Sequence, residues 1–402
     1  MKRINLDNSA TTPTDKSVLK AMEKYFTEDF GNPSSIHSFG VFAKKAVEEA
    51  RKIIANFLNA RSKEIIFTGS GTEANNLAIF GIVRKLIEDG KKPEEIEIIT
   101  TEIEHSSVSE CLKELTKIGV KIKFLPVSAD GLVEPRDLRK LINKNTVLVS
   151  VGYANSEIGT IQPIKEIAKE IRHMRKNNHS PKKANDLVGY PYLHTDASQA
   201  SQYLNMNVLE LGVDMMTLDA QKMYGPKGIG ALFVKDRVKI KPIIFGGGQE
   251  NGMRSGTENV PLIVGFAKAV EIAKKMREKE TLRVGKLRDE FFEQLKKFVP
   301  TAIINGSLTE RLPNNINISI PGKSGEFMVL QLDEAGIICS SASACGSSAG
   351  YSKVVYEIAL KSGEDEKNAR ARAESALRFS LGRDTTFLNI KKLLKVLEKL
   401  TN

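Results

Sequence analysis

The chain has 402 residues, 41% of them hydrophobic and 27% charged, which is typical of a soluble globular protein with two or three domains. No apolar run approaches the roughly 20 residues that span a bilayer, and the first three residues lead into a strand-like segment instead of a signal peptide, so no membrane association is expected. The net charge of +11 permits an acidic partner, but the charges are mostly interspersed and Trp is absent, so direct nucleic-acid binding is not expected.

Strand-like and helical patterns alternate over the first 258 residues. A helical repeat of apolar residues predicts an amphipathic helix that ends near Asn59. The candidate strands lie at about 64–68, 96–100, 122–127, 146–153, 192–196 and 215–218, and the helices between most of them at about 72–87, 106–117, 135–142 and 163–175. This alternation predicts an α/β fold with a large, mostly parallel sheet that carries helices on both faces. The polar segment from Lys176 to Gly189 is expected to be an exposed loop.

The character of the chain changes after Thr257. A long charged helix is expected from about Pro261 to Phe298, followed by strands at 315–320 and 337–340 and helices at about 324–335 and 386–400. This pattern predicts a second, smaller α+β domain. We expect residues 15–258 to form the large domain, and residues 1–14 with 259–402 to form the small one.

Lys222 ends an apolar run that favours a buried strand, and the Gly/Pro-rich sequence Gly225-Pro226-Lys227-Gly228 follows it. A lysine at a strand end, beside backbone that can approach a ligand closely, is placed to form a Schiff base. The alternative is an ordinary surface lysine before a loop.

Three other strand ends carry polar residues suited to binding. The glycines of residues 68–73 and a helix that starts near Thr72 would favour a phosphate, and the alternative is that Thr72 is a simple N-cap. Asp196, with Gln199 just beyond it, could hold a pyridinium nitrogen or form an Asx turn. His105 begins a helix, where a cap is the usual role of a lone histidine.

The three cysteines, Cys111, Cys339 and Cys345, show neither a disulfide framework nor a paired metal-binding spacing. A reducing, cytoplasmic compartment is expected, and no resident metal site. Cys345 lies in the small-residue stretch 340–348, which suits an exposed thiol or a loop with an incidental cysteine.

Taken in chain order, these segments resemble the cysteine desulfurases, fold-type I pyridoxal-phosphate enzymes related to the class V aminotransferases, and in particular their iron–sulfur-assembly group. The resemblance covers essentially the whole chain. The segments that carry it are Leu6–Pro13, Gly31–Ser35, Gly71–Asn76, Glu104-His105, Asn155–Gly159, Thr195–Gln199, Lys222–Gly228, Gly252–Thr257, Ser343–Cys345 and Leu377–Gly382.

The resemblance implies a pyridoxal 5'-phosphate (PLP) enzyme that converts L-cysteine to L-alanine and carries the sulfur as a persulfide on Cys345. It implies a homodimer that passes sulfur to an acceptor or scaffold protein, for iron–sulfur clusters, tRNA thiolation or both. By the same resemblance, Cys345 could transiently ligate an iron–sulfur cluster.

The resemblance also assigns roles to individual residues. It implies that Lys222 holds the cofactor and moves the substrate proton, that His105 stacks on the ring and that Arg378 binds the substrate carboxylate. The remaining residues are expected at the cofactor or substrate: Asp196 on the ring nitrogen, Gln199 on the phenolic oxygen, Gly71, Thr72 and Gln221 at the phosphate, Asn155 and Ser156 beside cofactor and substrate, and Thr257 from the partner subunit.

The sequence departs from the family pattern at Asp219, where a phosphate-facing serine is usual, at Gln221 in place of histidine, and at Ser156 in place of asparagine. A carboxylate at position 219 would repel a phosphate at short range unless it turns away or a cation compensates. Two alternatives stay open. One is another reaction on the same fold, such as a selenocysteine lyase. The other is a degenerate binding protein.

Overall fold

A computed structural model describes residues 3–177, 189–341 and 350–401. The strands in these ranges are β1 Ile4–Asn5, β2 Ile65–Thr68, β3 Glu97–Thr100, β4 Lys121–Phe124, β5 Thr146–Ser150, β6 Tyr192–Asp196, β7 Met215–Asp219, β8 Gly230–Val234, β9 Ile303–Ile304, β10 Asn315–Ser319, β11 Ile337–Ile338, β12 Ser340–Ser341 and β13 Ala376–Ser380. The helices are α1 Lys16–Thr27, α2 Ser38–Leu58, α3 Gly71–Glu88, α4 Ser106–Lys117, α5 Leu138–Leu141, α6 Ile164–Asn177, α7 Val208–Leu211, α8 Val260–Phe298, α9 Gly325–Glu334, α10 Lys353–Lys361, α11 Glu366–Glu374 and α12 Phe387–Thr401.

Seven of the described strands form one sheet in the order β2-β8-β7-β6-β5-β3-β4. The five strands from β7 to β4 are mutually parallel, whereas β8 runs antiparallel to both of its neighbours. The expected large, mostly parallel sheet is therefore confirmed. Strand β8 is reversed because residues 220–229 join it to β7 by a turn too short for a crossover helix.

Apolar clusters cover both faces of this sheet. On one face α3 and α4 pack through residues such as Leu77 and Leu112, and on the other α2 and α6 pack through residues such as Ile54 and Ile167. The strands between them are almost wholly buried, so they show near-continuous apolar runs instead of alternation. This burial explains why the strands of the sheet could be placed from the sequence.

A smaller antiparallel sheet, β12-β13-β10-β9, lies in the last hundred described residues, and the two-residue strand β1 pairs with β11. The apolar core of this smaller sheet contains Phe291 and Phe379. Helix α8 joins the two parts of the fold, since Phe266 lies in the core that includes α2, whereas Phe291 lies in the core of the smaller sheet. The expected smaller α+β region is present, and the exact boundary between the domains stays a prediction.

Two sequence-based expectations differ from the structure, and a third is not tested. The helix expected at 135–142 is only a 3₁₀ turn, Pro135–Asp137, and the single turn α5. Strand β13 was not anticipated, because Arg378 and Ser380 interrupt its apolar residues, so this buried strand shows no continuous apolar run. Most of the expected 176–189 loop lies outside the described residues.

Candidate active site

A cavity of about 280 Å³ opens at the carboxyl ends of β3, β5, β6 and β7, where the chain leaves each strand. The first turn of α3 closes one side of it, and Arg378 of β13 reaches it from the smaller sheet. The carboxyl edge of parallel strands is where α/β proteins generally place their ligands.

Most of the residues singled out from the sequence line this one cavity. They are Gly71, Thr72, His105, Asn155, Ser156, Asp196, Gln199, Gln221, Lys222 and Arg378. Thr257 does not line it and instead borders a separate cavity of about 150 Å³ beside Gly69 and Arg254. Cys345 lies outside the described residues.

The Lys222 side chain is held by the N-terminal segment of the chain. Its Nζ donates hydrogen bonds to the backbone carbonyls of Ser9 at 2.7 Å and Ala10 at 2.8 Å. Gln199 Nε2 donates to the same Ser9 carbonyl at 3.0 Å. The sequence reasoning gave Ser9 and Ala10 no role, although they lie in the segment Leu6–Pro13 that carried part of the resemblance.

Asp196 is fixed by two donors from different elements. Its Oδ2 accepts a hydrogen bond from Asn75 Nδ2 of α3 at 2.7 Å, and its Oδ1 accepts one from the Ser198 backbone at 2.9 Å. The second contact is the Asx turn that the sequence left open. The first orients the carboxylate within the cavity, and Asn75 was missed as its partner because the two residues are far apart in the chain.

Beneath Asp196, the fully buried His194 joins three strands. Its Nδ1 lies 2.9 Å from Ser150 Oγ in β5, and its Nε2 lies 3.1 Å from Thr217 Oγ1 in β7. Burial lowers the pKa of His194 to about 4, although the charge of Asp196 opposes this shift. The ring is therefore neutral near pH 7 and adds no cation beneath Asp196.

Arg378 is almost completely buried and reaches the cavity with a restricted set of partners. Its NH2 donates to Asp7 Oδ1 at 3.0 Å, and its NH1 donates to the Ser156 carbonyl at 3.3 Å. Its Nε is buried without a hydrogen-bond partner within the described part of the chain. A buried guanidinium with unused donor capacity is suited to a carboxylate ligand.

The start of α3 is capped by Ser70, whose Oγ accepts a hydrogen bond from the Glu73 backbone at 3.1 Å. The N-cap alternative for Thr72 is therefore wrong. Asp219 faces this helix end, since its Oδ2 accepts from the Gly71 backbone N–H at 3.3 Å. Gln221 binds Asp219 as well, with its Nε2 at 3.1 Å from Oδ2.

His105 caps α4, as its alternative role suggested, and also lines the cavity. Its Nδ1 accepts from the Ser107 backbone at 3.2 Å and lies 2.8 Å from Ser107 Oγ.

The neighbouring Glu104 binds Thr101 Oγ1 at 2.7 Å and the Gly152 backbone at 3.0 Å. Burial, reinforced by the charge of Asp196, raises the pKa of Glu104 to about 7, and the two hydrogen bonds limit the shift.

Asn155 lines the cavity, but its side-chain amide is committed to its own loop. Its Nδ2 donates to the Ile103 carbonyl at 2.8 Å, and its Oδ1 accepts from the backbones of Glu157 at 2.9 Å and Ile158 at 3.0 Å. These bonds hold together the loops that follow β3 and β5. Direct contact between Asn155 and a ligand stays a prediction.

Two thiols are inert in this structure. Cys111 and Cys339 are both free and buried, and burial raises the pKa of each to about 12. Neither is a useful nucleophile near pH 7.

Among the residues that the structure describes, no helix is long and apolar enough to cross a membrane, and no group of three or more His, Cys, Asp or Glu side chains is arranged to hold a metal ion.

Comparison with known proteins gives consistent matches over the whole chain. Residues 4–393 match the family model for aminotransferase class-V. The cysteine desulfurase IscS of Dictyoglomus turgidum is 43% identical over 100% of this chain and 95% of its own length. A solved NifS-like protein matches with a TM-score of 0.84 at 34% identity, covering 99% of both chains. A structure of SspA in complex with cysteine matches with a TM-score of 0.76 at 31% identity, covering 94% of this chain and 99% of that one.

Proposed function

Since this chain belongs to the class-V aminotransferase family and is a PLP-dependent cysteine desulfurase within it, we propose that the cavity around Lys222 is its active site and L-cysteine its substrate. The observation that carries the proposal is the meeting of Lys222, Asp196 and Arg378 in one cavity from three distant parts of the chain. A lysine, a carboxylate and a buried arginine are the groups that such a reaction needs for cofactor attachment, ring polarisation and substrate binding.

The residues around the cavity fit PLP in all but one respect. Lys222 can supply the amine that holds the cofactor, Asp196 is oriented within the cavity by Asn75, and His105 lies at the cavity wall. Gly71 and Thr72 at the start of α3 can supply donors for a phosphate. Asp219, which already binds Gly71, is the residue that does not fit.

When bound, PLP supplies an electron-poor ring that stabilises the negative charge left on the substrate carbon after a proton is removed. Lys222 is the base that takes this proton, and the carbonyls of Ser9 and Ala10 hold its amine when it is not engaged. Asp196 stabilises positive charge at the ring nitrogen. His105 packs on the ring face.

Arg378 binds the carboxylate of L-cysteine. Its unpartnered Nε and its cavity position support this role, and Asp7 and the Ser156 carbonyl hold the guanidinium plane in place. A fixed arginine fork restricts the substrate to one orientation in the cavity that Lys222 also lines.

Cys345 accepts the sulfur. Its thiolate forms an S–S bond to the substrate sulfur as the substrate C–S bond breaks, which leaves alanine and a persulfide on Cys345. The segment that contains Cys345 follows Ser341, and Ser340 in the same strand pairs directly with Arg378. The chain therefore enters this segment beside the substrate-binding arginine.

One anaerobic turnover with L-cysteine tests the assignment. Mass spectrometry should find one added sulfur on the peptide that contains Cys345, and Cys345→Ala should still bind cysteine but release no sulfide. Cys339→Ala and Cys111→Ala are matched controls, since both thiols are buried with raised pKa values. Persulfide found only on Cys339 or Cys111 would show that the nucleophile has been misassigned.

The active protein is a homodimer in this proposal, with Thr257 completing the cofactor site of the partner subunit. Two observations support it: Thr257 lies outside the cavity of its own chain, and apolar side chains on α1, on α2 and in the segment between them are exposed, with Ile36 98% and Phe42 63% exposed. Sedimentation equilibrium tests the assembly, and a monomer with full activity would contradict it.

The sulfur serves iron–sulfur cluster assembly, tRNA thiolation or both, through an acceptor protein, and the enzyme acts in the cytoplasm. The IscS names of the relatives support a role in sulfur donation. Free thiols in place of a disulfide framework support a reducing compartment. Disruption of the gene followed by measurement of cluster enzymes and thiolated tRNA would separate the two uses.

A further inference from the structure

Asp219 already uses the hydrogen-bond donors at the place where the cofactor phosphate is expected. Its Oδ2 accepts from the Gly71 backbone at 3.3 Å and from Gln221 Nε2 at 3.1 Å. Its Oδ1 accepts from the Gln221 backbone at 3.2 Å. The residue is only 6% exposed, so these three donors are its main solvation.

The carboxylate also fills the space at the start of α3. A Cβ built on Gly71 would lie 3.2 Å from Asp219 Oδ2 and 3.1 Å from Ser198 Oγ. The helix has 18 residues, and its partial positive charge at this end stabilises an anion. Asp219 therefore occupies the Gly71 donor and part of the room that a phosphate would use.

The nearby cations are committed to other partners. Lys222 Nζ donates to the carbonyls of Ser9 and Ala10. Arg254, beside the same helix end, pairs with Glu73 at 3.0 Å, and Glu73 also accepts from the Gly69 backbone. The hydrogen bonds that Asp219 accepts come from neutral donors, namely the Gly71 backbone and the backbone and side-chain amide of Gln221.

We propose that Asp219 is a resident anion that competes with the cofactor phosphate for the start of α3, and so sets how strongly this chain prefers the phosphorylated cofactor to its phosphate-free form. The inference rests on the proposed function, which puts the phosphate at this helix end. A carboxylate and a phosphate dianion repel at short range, so phosphate binding must displace the carboxylate from Gly71.

Pyridoxine 5'-phosphate and pyridoxine are suitable probes, because neither carries the aldehyde that reacts with Lys222. Their dissociation constants can be measured by calorimetry on the full chain. Asp219→Ser is expected to tighten binding of the phosphate ester about tenfold or more, while the affinity for pyridoxine stays unchanged. Asp219→Asn keeps an acceptor for Gly71 and removes only the charge, so it separates repulsion from occupancy of the donors.

Glu73→Gln is the matched control. It removes a carboxylate of equal charge from the first turn of α3 that pairs with Arg254 and does not bind Gly71. A smaller gain than that of Asp219→Ser is expected. An equal gain would show that net charge, not competition for Gly71, governs the affinity, and would overturn the inference.

Equal or weaker ester binding by both folded Asp219 variants would also overturn the inference, while leaving the proposed function intact. If neither the wild type nor any folded variant binds the ester, the phosphate is not at α3, and the proposed cofactor site fails together with this inference. Thermal melting verifies that each variant is folded.

Discussion

Asp196 and Asp219 are carboxylates at the ends of neighbouring parallel strands, and both line the same cavity. Asp196 binds a side-chain amide, Asn75 Nδ2 at 2.7 Å, and its own turn. Asp219 binds the first backbone N–H of α3. Strand position and residue type are the same, so the partners distinguish the two carboxylates: in our proposals Asp196 is oriented toward the cofactor ring, whereas Asp219 takes the place of part of the phosphate.

The two carboxylates also differ in the side chains behind them. The fully buried His194 lies two residues before Asp196 on β6, and burial lowers its pKa to about 4, so it stays neutral near pH 7. His194 therefore adds no cation that would compete with the proposed ring nitrogen for Asp196. Asp219 is instead surrounded by Gln221 and backbone donors, which satisfy its charge without a ligand.

Lys222→Ala should have the largest effect, because both carboxylates serve a site that this amine anchors. Turnover of L-cysteine should be abolished, and the visible absorbance that borohydride bleaches in the loaded wild type should be absent. Circular dichroism should show an intact fold, since the Lys222 side chain lines the cavity and contacts the N-terminal segment through the carbonyls of Ser9 and Ala10. Full activity in this variant would refute the proposed site.

Asp196→Asn and Asp219→Asn should act in opposite directions, which sharpens the comparison directly. Asp196→Asn removes the charge proposed to stabilise the ring nitrogen, and kcat at saturating cofactor should fall roughly a hundredfold or more. Asp219→Asn should leave kcat within a few-fold and lower the cofactor concentration needed for half-saturation. Steady-state kinetics across a cofactor series measures both, and equal losses of kcat would remove the distinction between the two carboxylates.

Glu104→Gln should have the smallest effect and should appear in the pH dependence of stability. The pKa of Glu104 is raised to about 7, mainly by burial, so the folded state retains a proton that the unfolded state releases from its ordinary value of 4.5. The contribution of Glu104 to the free energy of unfolding therefore falls as pH rises from about 4.5 to about 7, and it is smallest above that range.

Urea melts between pH 5 and pH 8 check this prediction. As pH rises from 5 to about 7, the wild type should lose more stability than Glu104→Gln, because glutamine does not ionise. Identical pH profiles would mean that Glu104 titrates normally. Glu114→Gln, a change at an exposed carboxylate of α4 that pairs with Lys117, is the control.

The sequence by itself determined the family, the positions of most strands of the large sheet and about half of the residues that line the cavity. Lys222, Asp196 and the start of α3 each lie at the end of a strand that an apolar run or a Gly-rich turn predicts. Such local signals are strong because a buried parallel strand appears in the sequence as a continuous run of apolar residues. Strand β13, which carries Arg378, gave no comparable signal as a strand, and its arginine was assigned by resemblance.

Only the tertiary structure decided which groups act on one another. The contacts of Asp7 with Arg378, of Asn75 with Asp196 and of Ser9 with Lys222 join residues that are 371, 121 and 213 positions apart. No periodicity or spacing encodes such pairs, because they depend on how strands, helices and the N-terminal segment pack. The orientation of Asp219 toward Gly71 is of the same kind: the sequence placed a carboxylate near the phosphate position, and packing determined that it binds the helix.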